Sequence, residues 1–170
     1  MIIRLTSTLA KKIKETDLPL LPSDPNPFAD WAARLFTAGR AQYILITNSA
    51  SLYSVVIYGR GVTDDNALLH GMTDMMRDVM EEDGFRLIYE KQVAPQAARV
   101  SFSKALSRSV TGSMNDLVFQ AKWHLIRDEL SPYDVSFRLN ETPMSYLKYR
   151  HPRDAFQSMG QNHRAQRWNG

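Results

Sequence analysis

Residues 26–39 read NPFADWAARLFTAG, and whether this stretch is helix or strand decides what kind of sheet the chain can build. Asn26 is a favourable N-cap residue, Pro27 suits the first helical position, and Asp30 brings negative charge to the first turn. Phe28, Trp31, Ala32, Leu35 and Phe36 follow the i, i+3, i+4, i+7, i+8 spacing of one helical face. Gly39 stands where a helix ends on a left-handed residue. The spacing predicts a helix that buries an aromatic stripe, with Trp31 in the core rather than stacked on a ligand.

Upstream, DLPLLPSDPNP (residues 17–27) carries four prolines and reads as a rigid loop, since neither a helix nor a central strand tolerates them. IIRL (2–5) is a short β-type run, and Leu9 and Ile13 lie one helical turn apart. Downstream, YILITN (43–48) and LYSVVIY (52–58) are apolar on both faces and flank a turn at Asn48–Ser51, which predicts an antiparallel hairpin of inner strands. From Thr63 to Asp83 a long helix buries Leu68, Met72, Met75, Met76 and Val79, turns an acidic face outward, and stops at Gly84. FRLIYEKQ (85–92), ARVSFSK (98–104) and DVSFRLN (134–140) read as strands. A helix is expected from about Met114 to Leu130, stopped by Pro132, and a short one near Pro152. The expected fold is α+β: one domain with a mainly antiparallel sheet of about five strands and three to four packed helices.

Composition sets the outer limits. With 170 residues, 44% hydrophobic and 23% charged, the chain suits one core. Residues 1–159 are expected to form it, with 160–170 as a polar basic tail. The absence of cysteine excludes disulfides, thiolate metal sites and a cysteine nucleophile. The opening residues turn charged too early for a secretory segment, and no apolar run approaches the ~20 residues of a membrane span. A cytoplasmic protein is expected. The net charge of +3 is uneven, because residues 138–170 hold six Lys/Arg against Glu141 and Asp154. The basic character belongs to that end and not to the domain body, which weakens a whole-protein nucleic-acid argument.

The tests for chemistry are mostly negative. His70, His124, His151 and His163 show no metal-ligand spacing, and no Gly-x-Ser-x-Gly elbow or glycine-rich phosphate loop occurs. No metal or cofactor is expected. The most chemical stretch is RSVTGSMNDL (108–117). Gly112 allows a tight turn, Ser113 reads as an N-cap, and Asp116 completes a capping box with it. Lys104, Arg108, Ser109, Thr111 and Asn115 are not explained by that cap, and together with Gly112, Ser113 and Asp116 they make a candidate anion-binding turn at a helix start. At the C-terminal end, aromatics alternate with Lys148, Arg150 and Arg153, a composition that suits either a nucleic-acid platform or an amphipathic closing segment.

Four stretches taken together carry a resemblance: IIRLTSTLAKKIKE, NPFADWAARLFTAGRAQYILITNSASLYSVVI, RSVTGSMNDL and LNETPMSYLKYRHPRDAF. In order and spacing the chain resembles a family of small bacterial proteins classed as a domain of unknown function, most specifically through Ser109–Asp116. The resemblance implies one α+β unit in a bacterial cytoplasm and draws notice to Asn48 and Asn140–Met144, but it brings no activity with it. Three functional classes follow. The first is a non-catalytic binding or regulatory module with a protein partner. The second is a small enzyme or sensor for a phosphorylated or nucleotide-like ligand at residues 104–116. The third, weaker, is nucleic-acid binding through the basic end.

Overall fold

A computed structural model describes the backbone of residues 1–168 and the side chains of residues 1–161. Asn26 does cap a turn, accepting a hydrogen bond from the Phe28 amide at 3.0 Å, but the turn is a single 3-10 turn, Pro27–Ala29. At Asp30 the backbone becomes extended and stays so through β2, Asp30–Ala38. The predicted helix is thus a strand, and it is the middle strand of the sheet.

Its apolar run fits both periods. Trp31 and Ala33 face one side of the sheet, Ala32 and Phe36 the other, and both sides are buried. A strand covered on both faces reads as a continuous apolar run, which also satisfies a helical stripe. Gly39 is left-handed, as expected, but it turns a hairpin. With φ at +59° it forms, with Arg40, the two-residue link from β2 to β3, Ala41–Asn48. Trp31 is fully buried, and its indole nitrogen donates to the Phe28 carbonyl at 2.8 Å.

The sheet has five strands in the order β4-β3-β2-β1-β5, where β1 is Ile2–Leu5, β4 is Ser54–Tyr58 and β5 is Ser101–Lys104. The β2–β3 and β3–β4 pairs are antiparallel, the hairpin at Asn48–Ser51 included, whereas β1 runs parallel to both β2 and β5. The α+β class and the single five-stranded sheet stand as expected, but the sheet is mixed and not mainly antiparallel, and it is packed by more than the three to four helices expected. Residues 30–38 join it as a strand beside which β1 runs parallel, and residues 134–140 leave it as a helix.

Helices cover both faces. On the Trp31 side lie α1 (Ser7–Lys12), α2 (Asp65–Glu82) and α6 (Pro152–Trp168), whose Phe156 sits 4.6 Å from the Tyr53 ring and 5.3 Å from that of Phe28. On the Ala32 side lie α4 (Arg108–Ile126) and α5 (Pro132–Asn140). The acidic helix α2 is capped by Asp64, which accepts from the Ala67 amide. The tail expected from residue 160 continues the backbone of α6 as far as Trp168, and its side chains beyond residue 161 lie outside the described residues.

Two further expected strands are helical. Residues 86–98 form one-turn α3 (Arg86–Ile88), then a π-turn at Tyr89–Val93 and a 3-10 turn at Ala94–Ala98. Phe85, Tyr89 and Val93, four apart, make its inward face. Residues 134–140 lie in α5, where Pro132 occupies the first helical position behind the Ser131 cap. Pro132 starts a helix as well as following one. α5 also protects the sheet edge. Asn140 accepts from the Ser54 amide (2.7 Å) and donates to the Ser54 carbonyl (2.9 Å), while Ser136 accepts from the Val56 amide (2.9 Å). Backbone groups of β4 that would face an open edge are satisfied by side chains.

Candidate functional site

The start of α4 differs from the sequence expectation, and the difference rearranges the candidate anion site. The N-cap is Ser107, whose hydroxyl accepts from the Val110 amide at 3.3 Å. The apolar face begins at once with Val110, Met114, Leu117, Val118 and Ala121. Gly112, Ser113 and Asp116 therefore sit inside the helix, and no capping box forms between Ser113 and Asp116. Ser113 satisfies its hydroxyl by donating to the Ser109 carbonyl one turn back (3.0 Å), as Thr111 does to the Ser107 carbonyl (2.9 Å). Gly112 has no positive φ and open space around it. It interrupts nothing.

The eight residues of the candidate turn are consequently spread out. Ser107, Val110 and Thr111 line a cleft of about 260 Å³ that also touches Arg4, Asp30, Ser49 and Tyr146. Lys104 ends β5 and borders a separate depression beside Thr6 and Lys11. Arg108 and Ser109 are exposed in the first turn. Asn115 accepts a hydrogen bond from Arg34, and Asp116 is exposed with no ion-pair partner among the described residues.

At the floor of the cleft is a pair that sequence reading missed. Arg4 and Asp30, on adjacent parallel strands, form a bidentate buried ion pair, Nε to Oδ1 at 2.8 Å and Nη2 to Oδ2 at 2.7 Å. The remaining Arg4 protons go to the carbonyls of Leu21 (2.9 Å) and Pro22 (3.0 Å) and to the Ser103 hydroxyl (3.3 Å). All five guanidinium donors are spent. Asp30 also accepts from the Ser49 hydroxyl (2.8 Å) and the Asp24 amide (3.1 Å). Burial alone would raise its carboxyl, but these hydrogen bonds outweigh burial and hold it below the usual aspartate value. Arg4 is a clasp that pins the proline-rich loop to the sheet, and it has nothing left to offer an anion. The signal was an arginine in the apolar run IIRL, opposite an aspartate already assigned to a helix start.

Asn48 is likewise structural. Its amide donates to the Pro27 carbonyl (2.8 Å), and its oxygen accepts from the Ser51 amide and hydroxyl, both at 2.9 Å.

The basic end is also occupied. Arg153 lies 3.1 Å from the Asp83 carboxylate and over the Phe85 ring, and Arg150 donates to Ser158 (2.7 Å). Lys148 sits in a left-handed turn with its side chain exposed. Asp83 in turn accepts from the Tyr53 hydroxyl at 2.5 Å. Burial raises both the Asp83 carboxyl and the Tyr53 phenol above their ordinary values, and the neighbouring Asp83 charge adds to the shift of Tyr53. Among the described residues, no three His, Cys, Asp or Glu side chains gather as metal ligands would, and no helix is long and apolar enough to cross a membrane.

The exposed chemistry lies elsewhere on α4. Phe119, Trp123 and Ile126 follow the i, i+4, i+7 spacing and are 72%, 52% and 51% exposed. Lys122 and Arg127 flank them, and the Arg127 guanidinium lies 5.3 Å from the Trp123 ring centre. α4 is thus apolar on two sides, one facing the sheet and one facing solvent. The signal was in the sequence, since Phe119, Trp123 and Ile126 fall outside the inward set.

The family model described as Domain of unknown function (DUF6933) matches residues 2–155, and the chain belongs to that family. No curated protein and no solved structure matches the chain.

Proposed function

We propose that this member of the DUF6933 family is a non-catalytic binding module of the bacterial cytoplasm that docks a protein partner on the solvent face of α4. The observation that supports this reading is the contiguous Phe119–Trp123–Ile126 stripe beside Lys122 and Arg127. Monomeric soluble proteins scatter exposed apolar residues singly, and a contiguous patch rimmed by charge marks an interaction surface. Fully burying each of these side chains is worth about 1.5–3 kcal/mol, enough for the stripe to anchor an interface. The test is a photo-crosslinking amino acid placed at Phe119 in cells, with Arg60 as the control position. Protein adducts from Phe119 and not from Arg60 support the reading. Equal or absent adducts at the two positions contradict it.

A second reading, a phosphate-containing ligand at the start of α4, draws on the cleft beside Ser107 and Thr111, where the amides of Arg108 and Ser109 have no intrahelical acceptor and that of Val110 is capped by Ser107. The Asp30 carboxylate on the floor and the saturation of Arg4 weigh against it. Stabilisation of the protein by inorganic phosphate that disappears in Ser107→Ala and Arg108→Ala would revive it. Nucleic-acid binding through Lys148, Arg150 and Arg153 has the least support, because two of the three cations are already engaged.

A further inference from the structure

Resting on the reading of α4 as a docking surface, we infer that its occupant is a second copy of this chain, with the two α4 helices packed antiparallel about a two-fold axis. The solvent face of α4 is complementary to itself. Gly112, Asp116, Phe119, Trp123 and Ile126 recur at alternating steps of four and three, the seam spacing of paired helices. An axis level with Ala121 brings Phe119 opposite Trp123 of the second copy, since each lies two residues from it.

The same axis sets the charges. Asp116 lies five residues before Ala121 and Arg127 six after it, so a rise of ~1.5 Å per residue leaves them at nearly the same height across the interface. The 100° step of the helix puts both on the same flank of the seam, and a two-fold axis perpendicular to the helices preserves that flank. Each Asp116, which has no ion-pair partner among the described residues, then meets Arg127 of the other copy, twice by symmetry. A parallel pairing would set Asp116 level with Asp116 of the second copy and carry the two Arg127 side chains to opposite flanks, so that no Asp116 meets an Arg127. Gly112, with no side chain and open space around it, lets the backbones approach at the end of the seam. Lys122 flanks the stripe on the other side, one residue from the axis, so it comes near Lys122 of the second copy, a repulsion that its long exposed stem relieves by carrying the charge into solvent.

Sedimentation equilibrium of the full chain tests this. The wild type is expected to dimerise, Trp123→Glu to be monomeric, and Asp116→Arg and Arg127→Asp each to weaken the dimer by about tenfold. The double charge swap, Asp116→Arg with Arg127→Asp, is expected to restore most of the affinity. All these side chains are exposed, so circular dichroism should show folded variants. A wild type that stays monomeric, or a swap that rescues nothing, overturns the inference. If the wild type is monomeric while Phe119 crosslinks to a different protein, the second copy is wrong and the docking surface stands. If neither occurs, both fail.

Discussion

Arg4 spends every donor it has on holding the fold, and the consequence is measurable. Arg4→Met strands the Asp30 carboxylate in a buried site and is expected to cost about 3–5 kcal/mol in urea unfolding. Asp30 and Asp83 then act oppositely on pH. The Asp30 carboxyl is lowered on folding, so its stabilisation is full above the ordinary aspartate value of about 3.9 and is lost as pH falls through the lower folded value. The Asp83 carboxyl is raised, chiefly by burial, so its contribution is full below that ordinary value and is lost as pH rises through the higher folded one. Urea midpoints across acid pH should show Asp83→Asn gaining on the wild type as pH rises toward neutrality. Asp30→Asn should lack the wild type's loss of stability below about pH 4. Parallel curves for the wild type and Asp83→Asn would refute the assignment of Asp83.

At the scale of elements, the sequence was most readable where only one period fitted. The β3–β4 hairpin, the capped acidic helix α2 and the core position of Trp31 followed from local pattern. Residues 30–38 read as a helix because a strand buried on both faces loses the alternation that identifies strands. The partner that settles the matter, β3, pairs along the whole strand from Trp31–Asn48 to Ala38–Ala41, and no local window contains that pairing. Gly112 and Ser113 have the look of a cap, whereas Ser107 and the apolar face from Val110 decide where α4 starts.

The two placements of α4 predict opposite outcomes. In the dilute monomer Gly112→Ala should stabilise by about 0.5–1 kcal/mol, because a helix interior prefers alanine and nothing within the chain obstructs the new methyl. A glycine needed for a turn would give destabilisation instead. Ser107→Ala should cost about 1 kcal/mol as a lost cap, more than Ser113→Ala. Asn140→Ala should cost about 1–3 kcal/mol, because it leaves buried amide and carbonyl groups of Ser54 without partners. Thermal or urea unfolding of these variants reads all three.

For the whole molecule, both faces of the sheet are already covered by helices, so the apolar stripe on the outside of α4 is surplus to the core. The sequence-level candidates for a site were chosen by chemistry: hydroxyls, cations and a glycine. Most of them serve the helix or are dispersed. Phe119, Trp123 and Ile126 passed unmarked, because a sequence shows that they are apolar but not which side of a two-sided helix has been left without a neighbour. A docked partner would cover that side when the protein works. The most direct measurement is carbene footprinting of Phe119, Trp123 and Ile126 inside cells, compared with the purified chain at high dilution. Tyr58 and Leu87, exposed elsewhere on the molecule, serve as the reference. Strong protection of the three α4 residues in cells, with Tyr58 and Leu87 labelled equally in both settings, is the predicted result. Equal labelling of the stripe in cells and in dilute solution would contradict the account.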